Sequence, residues 1–191
     1  VVEAADHMLP MLDGEICQVG IDHMKKMGIA FHLEHPVQAI EKNGEGAVVI
    51  CKDKSGKEVR FAAEKVLVAV GRRANTESLN LAAGNIEHDQ GRIKVNESMQ
   101  TNIPGVYAIG DCTSGYAQLA HTASAMGETA VEHIYGMDSV YDETTNPTCV
   151  YMFPEAAAVG LTEERCKEQG LAYAVGRFQM AGNGKALIIN G

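Results

Sequence analysis

A glycine followed by an aspartate, Gly110 and Asp111, closes a short apolar run in this sequence. The run extends from Val106 to Ile109, and its composition predicts a buried strand. Glycine lets a backbone approach a ligand closely, and the Asp111 carboxylate offers hydrogen-bond acceptors. In open α/β sheets, ligands lie at the carboxyl ends of the strands. The pair therefore predicts a ligand contact, with an ordinary Gly-Asp turn as the alternative.

A predicted helix follows this pair. Gln118, Leu119, Ala120 and His121 lead into a pattern of small and apolar residues at helical spacing. The residues that share this face are Ala123, Met126, Gly127, Ala130 and Ile134. The amino terminus of the helix would point back toward Asp111, and such a terminus presents N–H groups and a partial positive charge. This arrangement suits a ligand atom that becomes negatively charged.

The sequence TNIPGVYAIGD at residues 101–111, followed by LAH at 119–121, resembles the second flavin-binding motif of the pyridine-nucleotide disulfide oxidoreductases. In that family the aspartate bonds the ribitol of FAD, and backbone groups of the second segment contact the isoalloxazine ring. The LAH triplet favours the branch that acts on dihydrolipoamide, since the reductases of glutathione or mercuric ion usually lack it. The resemblance implies FAD contacts for Asp111, Gln118, Leu119, Ala120 and His121.

Contacts with NAD are implied for three other residues. The chain opens with what reads as the end of a parallel strand, with Glu3 at its tip. An acidic residue there bonds the adenosine ribose in dinucleotide-binding folds and repels a 2′-phosphate. An ordinary surface glutamate is the alternative, because the chain contains no G-x-G-x-x-G. The resemblance favours the NAD role, implies a glycine-rich turn upstream, and adds Gly71 near NAD and Val37 near adenine.

One helix and a series of strands separate Glu3 from Gly71. Asp13 is the predicted N-cap of the helix and Gly28 its stop. Its predicted apolar stripe contains Ile16, Val19, Met24 and Met27. Residues 29–61 predict antiparallel strands with turns at Asn43-Gly44 and at residues 53–56. Residues 66–70 predict a central parallel strand.

The residues after 147 resemble the opening of the family's dimerisation domain, with PTCVYMFPE at 147–155 and VGLTEE at 159–164. Thr162 is the predicted N-cap of a helix that Gly170 ends. The last residues, 186–191, predict a strand.

We expect an α/β fold made of three regions. Residues 1–73 are assigned to an incomplete Rossmann-like NAD-binding domain, and residues 74–142 to the central FAD-binding region. Residues 143–191 are assigned to the first half of an α+β dimerisation domain. The polar residues of 138–147 predict a linker.

Composition argues against two classes of partner. The 191 residues are 46% hydrophobic, enough for one medium domain or parts of several. They include 16 basic and 25 acidic side chains, a net charge of −9. Nucleic acid is disfavoured because phosphate backbones need clustered lysine and arginine. The longest apolar runs are far shorter than the roughly 20 residues that span a bilayer.

Five cysteines are scattered through the chain without a C-x-x-C pair: Cys17, Cys51, Cys112, Cys149 and Cys166. This spacing predicts neither a metal site nor a disulfide framework, and it fits a reduced, cytoplasmic setting. Cys112 is expected to be a small buried side chain. His32 and His35 lie three residues apart in an extended segment, so they should point to opposite faces and not form a metal pair.

The resemblance implies an internal fragment of a flavoprotein that moves electrons from dihydrolipoamide through a cysteine pair to FAD and then to NAD. Its expected partners are the dihydrolipoyl groups of 2-oxoacid dehydrogenase or glycine cleavage complexes, and a second copy in a homodimer. The redox cysteines and the histidine–glutamate base pair of the family would lie outside this chain, so we assign no catalytic residue and expect the fragment alone to be inactive. A related reductase or NADH oxidase, and a non-catalytic dinucleotide-binding module, are the alternatives.

Overall fold

A computed structural model describes residues 1–189 as a mixed helix-and-strand fold with two compact units. Unit 1 combines residues 1–68 with those from 147 onward, and unit 2 contains residues 69–146. The helices are α1 (Gly14–Lys26), α2 (Ala120–Ile134), α3 (Glu163–Glu168) and α4 (Gly184–Ile188). The strands are β1 (Val37–Asn43), β2 (Gly46–Lys52), β3 (Glu58–Ala63), β4 (His88–Asp89), β5 (Arg92–Ile93), β6 (Thr148–Val150) and β7 (Ala156–Ala158). None of the helices described is long and apolar enough to cross a bilayer.

The antiparallel region predicted in unit 1 is confirmed as a sheet with the order β1-β2-β3. The turn between β1 and β2 places Gly44 at φ +60°, which glycine adopts without strain. Asp53 closes the next turn, where its Oδ1 accepts the backbone N–H groups of Ser55 (2.9 Å) and Lys57 (3.0 Å). The residues that β2 buries are Val49, Ile50 and Cys51.

Helix α1 begins after Asp13 and ends just before Gly28, which confirms the predicted bounds. The predicted apolar stripe is wrong, because Ile16, Val19 and Met27 are exposed. The buried residues of α1 are Cys17, Gly20 and Ile21. Within unit 1 a Cβ on Gly20 would lie 2.5 Å from the Met152 side chain. The buried face is therefore the one with a residue small enough for this close approach, and hydrophobic periodicity alone does not identify it.

Helices α1 and α3 cap each other at their amino ends. The Oδ1 atom of Asp13 accepts the backbone N–H of Glu163 (2.8 Å), and the Oε1 atom of Glu164 accepts the N–H of the first residue of α1 (3.2 Å). Thr162 caps α3 as predicted, since its hydroxyl accepts the N–H of Arg165 (3.2 Å). Each bond satisfies an N–H group that lacks a partner within its own helix.

The strand predicted over residues 66–70 is wrong. Leu67 and Val70 are 90% and 91% exposed, and none of the described residues pairs with this run. A strand is held by hydrogen bonds to a neighbour, which an apolar composition does not supply.

The buried strand predicted before Gly110 is also wrong. Tyr107 makes a single antiparallel bridge with Gln100, and Val106 and Ile109 are exposed. The backbone is extended at Ile109, with φ −137° and ψ 162°. Composition thus predicted the local conformation but not the pairing or the burial.

The strand predicted over residues 186–191 is wrong where it is described, because this part of the chain forms α4. Asn183 is the N-cap, and its Oδ1 accepts the backbone N–H groups of Lys185 (2.9 Å) and Ala186 (3.1 Å). Such a cap favours a helical turn over an extended strand. Residues 190 and 191 of the predicted strand lie outside the described residues.

The rings of His32 and His35 do not point to opposite faces as predicted. Both lie beside Phe61, with ring centroids at 4.4 and 6.1 Å from it. Glu34 between them has φ +55°, so the side-chain alternation of an extended strand does not apply. Val2 forms a parallel bridge with His32, which confirms the predicted parallel pairing at the start of the chain.

The core of unit 2 forms where α2 packs on the segment around Met99. Met99, Met126 and Ala130 are its buried members. The partly buried side chains packed against it are Val95, Tyr107, Tyr116 and Tyr141. The predicted face of α2 is correct at Met126 and Ala130 but not at Ile134, which is exposed. Tyr141 belongs to the segment predicted as a linker, so that segment contributes to the core as well as ending unit 2.

The Tyr141 hydroxyl is buried and has no hydrogen-bond partner among the residues described. Burial raises the pKa of this phenol to about 12, and the nearby Glu143 carboxylate contributes to the rise. Because the folded state favours the neutral phenol, this contribution to stability is complete below pH 10, the ordinary pKa, and is lost as the pH rises to about 12.

We therefore expect the unfolding free energy of the wild type to fall more steeply between pH 10 and about 12 than that of Tyr141→Phe. Urea titrations across this range measure both slopes. Tyr135→Phe is the matched control because Tyr135 is exposed, and it should keep the wild-type slope. Equal slopes in the wild type and Tyr141→Phe would contradict the assignment.

Candidate cofactor-binding site

The Gly110-Asp111 pair forms a tight turn against helix α2. Gly110 has φ +74°, and a Cβ built on it would lie 3.3 Å from the Cβ of Ala123. Buried Thr113 closes the turn, because its backbone N–H (2.9 Å) and its hydroxyl (2.7 Å) both donate to the carbonyl of Gly110. The positive φ therefore requires glycine at this position, and the close approach to Ala123 leaves little room for a side chain.

Asp111 presents its carboxylate to solvent. The side chain is 51% exposed, and its Oδ2 lies 4.0 Å from the Nε atom of Arg72. The carbonyl oxygen of Asp111 accepts a hydrogen bond from the Nε2 atom of Gln118 at 3.3 Å. The structure thus brings together two residues that the sequence assigned to one site, and it leaves carboxylate surface accessible to a ligand hydroxyl.

The amino end of α2 lies directly behind this turn, with Ala123 of its first turns against Gly110. Leu119 is the N-cap, has an extended backbone (φ −129°, ψ 145°) and provides no side-chain cap. The first turn carries no acidic residue, so its partial positive charge is not offset there. Leu119, Ala120 and His121 therefore follow one another into a helix terminus that favours negative charge nearby.

Three residues of this neighbourhood were missed by sequence reasoning. Arg72 approaches Asp111 across 39 residues of sequence, and the only clue was its position directly after Gly71. The Oε1 atom of Glu143 accepts the backbone N–H of Ala117 (3.1 Å), and the Asn146 side chain donates to the Thr122 hydroxyl (2.8 Å). Both of these residues belong to the predicted linker, and no sequence pattern connects them with α2.

The predicted NAD contacts Glu3 and Val37 lie in unit 1. The backbone N–H of Glu3 donates to the carbonyl of His32 (2.9 Å), and its carbonyl accepts the N–H of His35 (2.8 Å). Val37 follows at the start of β1, where it is exposed and pairs with Cys51. The structure thus places Glu3 beside the segment that leads to Val37.

The third predicted NAD contact, Gly71, lies in unit 2 at φ +103°. Apart from its two chain neighbours, none of the described residues has an atom within 4 Å of a Cβ built on it, so the surface there is open. The carboxylate of Glu3 is partly engaged, because its Oε1 accepts the backbone N–H of Ala5 (2.8 Å). This bond orients the carboxylate.

These residues fit parts of FAD and NAD. Asp111 can accept hydrogen bonds from hydroxyl groups, and the α2 terminus can face a group that becomes negatively charged. The half-buried carboxylate of Glu3 can accept bonds from ribose hydroxyls. Among residues 1–189, no group of three or more histidine, cysteine or acidic side chains could hold a metal ion. All five cysteines are free, and Cys112 is half-buried rather than buried as expected.

Two family matches cover nearly the whole chain. The family described as pyridine nucleotide-disulphide oxidoreductase matches residues 1–127. The dimerisation domain of pyridine nucleotide-disulphide oxidoreductases matches residues 146–191.

Curated relatives match along the same length. A dihydrolipoyl dehydrogenase of Bacillus subtilis (strain 168) is 42% identical over 98% of this chain, which covers 40% of that relative. The mitochondrial dihydrolipoyl dehydrogenase 2 of Arabidopsis thaliana is 38% identical over 100% of this chain, which covers 38% of that relative. The chain thus spans about two fifths of the length of these relatives.

Solved structures with a similar fold include LpdA from Mycobacterium tuberculosis, with a TM-score of 0.85 and 26% identity over 100% of this chain and 41% of that one. The HOCl-induced flavoprotein disulfide reductase RclA from Escherichia coli has a TM-score of 0.81 and 25% identity over 99% of this chain and 42% of that one. Because the first family match extends over more than half of the sequence, the chain belongs to the pyridine nucleotide-disulphide oxidoreductase family.

Proposed function

We propose that this chain is part of a dihydrolipoyl dehydrogenase, which reoxidises dihydrolipoyl groups and reduces NAD to NADH with the help of FAD. The observation that carries the proposal is the Gly110-Asp111 turn packed against the amino end of α2. Relatives at 42% and 38% identity have this name, which supports the choice of substrate.

In this proposal Asp111 binds the ribitol hydroxyls of FAD, while residues 118–121 lie along the isoalloxazine ring. When bound, FAD supplies the two-electron chemistry that connects a dithiol with a nicotinamide. The contribution of this chain is to orient the ring and to place the α2 terminus where negative charge develops on reduction. Gly110 allows this approach because a larger residue would press against Ala123.

NAD is assigned to Glu3, Val37 and Gly71. The carboxylate of Glu3, oriented by the Ala5 N–H, would accept hydrogen bonds from the adenosine ribose. The exposed side chain of Val37 would contact adenine, and the open surface at Gly71 would admit the dinucleotide. No catalytic residue is assigned within this chain, so the thiol chemistry and the base would come from other parts of the protein.

We further propose a homodimer, since residues 146–191 match the family's dimerisation domain. The partners of the full-length protein would be the dihydrolipoyl groups of 2-oxoacid dehydrogenase or glycine cleavage complexes. The division at residues 73 and 142 into NAD-binding, FAD-binding and dimerisation regions is part of this proposal. A cytoplasmic location is also part of this proposal, although the Arabidopsis thaliana relative is named as mitochondrial.

A second candidate is a flavoprotein disulfide reductase with another substrate. The fold similarity to RclA, at a TM-score of 0.81, favours it. The two candidates share the cofactor residues and differ in the disulfide that exchanges electrons with the protein.

The direct test is the rate of NADH formation from dihydrolipoamide and NAD by the full-length protein loaded with FAD. We expect turnover by the full-length protein and none by residues 1–191 with added FAD. Activity on another disulfide but not on dihydrolipoamide would favour the second candidate. Turnover by residues 1–191 alone would contradict the absence of catalytic groups from this chain.

Replacement of Asp111 by alanine in the full-length protein should weaken FAD binding by about 1.5 to 3 kcal/mol, the usual contribution of a hydrogen bond to a charged group. Titration of the apoprotein with FAD measures the affinity. Asp138→Ala is the control because it removes an exposed aspartate of unit 2 elsewhere on the surface. Unchanged FAD affinity in Asp111→Ala would exclude the ribitol contact.

Replacement of Glu3 by alanine in the full-length protein should reduce the preference for NAD over NADP. A carboxylate about 4 Å from a 2′-phosphate charge opposes it by about 1 to 4 kcal/mol, depending on solvent exposure. Values of kcat/KM for both cofactors measure the preference, with the exposed Glu45→Ala as control. The assignment fails if Glu3→Ala discriminates against NADP as strongly as the wild type.

A further inference from the structure

One short polar turn holds both ends of the proposed flavin-contacting segment. Residues 142–146 form this turn, which we call the bracing turn. Its Glu143 accepts the backbone N–H of Ala117 (3.1 Å), and its Asn146 donates to the hydroxyl of Thr122 (2.8 Å). Ala117 precedes the segment directly and Thr122 follows it directly, so the two bonds enclose its four residues.

The bracing turn has its own internal support. The Oδ1 atom of Asp142 accepts both the backbone N–H (2.9 Å) and the hydroxyl (2.6 Å) of Thr144. The hydroxyl of Thr145 donates to the carbonyl of Asp142 (2.9 Å). These bonds fix the direction of the turn, so Glu143 and Asn146 are oriented without help from a ligand.

The Glu143 side chain is half-buried. Its Oε2 atom is buried, as is the hydroxyl of Tyr141. The rings of Tyr116 and Tyr141 meet edge to face at 5.5 Å. Burial raises the pKa of Tyr116, and the carboxylates of Glu97 and Glu143 raise it further. Low solvent access strengthens a hydrogen bond between a carboxylate and a backbone N–H. We therefore expect the bond from Ala117 to Glu143 to be stronger than the same bond at an exposed site.

The segment itself has little regular structure before α2 begins. Ala117 donates to Glu143, and its carbonyl accepts the N–H of Leu119 (3.0 Å). Leu119 is extended and provides no side-chain cap for α2. The Glu143 bond therefore ties the peptide at Ala117 to the rest of unit 2, in addition to the bond that the Gln118 side chain donates to the Asp111 carbonyl. Loss of the Glu143 acceptor would release the Ala117 peptide.

We propose that Glu143, assisted by Asn146, is a positioning residue that sets residues 118–121 against the flavin. The proposal rests on the proposed function for the identity of the ligand. The two hydrogen bonds that carry it are present in the chain itself. Glu143 acts through the Ala117 backbone and touches neither substrate nor cofactor.

The first test is amide hydrogen exchange of residues 115–122 in the full-length protein, compared among the wild type, Glu143→Ala and Glu143→Gln. Exchange at Ala117 should rise about tenfold or more in Glu143→Ala, since a hydrogen bond to a charged group is lost. Glu143→Gln retains an acceptor oxygen and should stay within about threefold of the wild type. Glu128→Ala removes an exposed carboxylate from α2 and is the matched control, with wild-type exchange expected.

The second test is the rate of FAD release, followed by flavin fluorescence, together with the visible absorption of the bound flavin. Glu143→Ala should release FAD about tenfold faster and shift the absorption, while Glu143→Gln restores both. Wild-type exchange in Glu143→Ala, or faster exchange without faster release, would overturn the proposal. If Glu143→Ala does not fold, Asn146→Ala is compared with the wild type by amide exchange of residues 115–122 and by the rate of FAD release. Wild-type values of both would then overturn the proposal.

These experiments distinguish failure of the proposed function from failure of the positioning role. A full-length wild type that retains no FAD would overturn the FAD assignment. It would also overturn the flavin-positioning role of Glu143, whatever the exchange rates. A wild type that binds FAD, with all variants alike in exchange and release, would leave the function in place and exclude Glu143 as a positioning residue.

Discussion

The close contact between Gly110 and helix α2 is the constraint on which the candidate site depends. A Cβ at position 110 would lie 3.3 Å from Ala123, and the backbone there has φ +74°, so both packing and conformation select glycine. Because the backbone comes this close to the helix, Asp111 emerges beside the α2 amino terminus, where Gln118 binds its carbonyl. The turn thus provides the Asp111 carboxylate as an acceptor, and the α2 amino terminus provides a partial positive charge beside it.

The rest of unit 2 supports this contact. Met126 and Ala130 anchor α2 on Met99, and the bracing turn ties down the residues that enter the helix. In unit 1 helices α1 and α3 support each other, since Asp13 caps α3 and Glu164 caps α1. Polar side chains from distant parts of the sequence therefore cap two helices in unit 1 and hold the residues that enter α2 in unit 2.

Features set by local sequence were predictable, and features set by distant partners were not. Thr162 marks the start of α3 correctly because its hydroxyl caps the helix that follows it directly. Asp13 also stands at the start of α1, but its side chain caps α3 and makes no cap bond with α1. Residues 66–70 have strand composition but no partner among the described residues, and α1 buries Gly20 rather than its more apolar face. The resemblance assigns Gln118 and Asp111 to the same cofactor, and the Gln118 side chain donates to the Asp111 carbonyl. Glu143 reaches Ala117 across 26 residues, so no spacing rule could have found it.

A crystal structure of the full-length protein with FAD bound would show whether the Gly110-Asp111 turn and the α2 terminus hold the flavin. We expect a ribitol hydroxyl within about 3.2 Å of the Asp111 carboxylate. We also expect the isoalloxazine ring against residues 118–121, with the α2 amino terminus directed at it. A flavin bound elsewhere, or an Asp111 carboxylate that faces solvent in the loaded protein, would exclude this site.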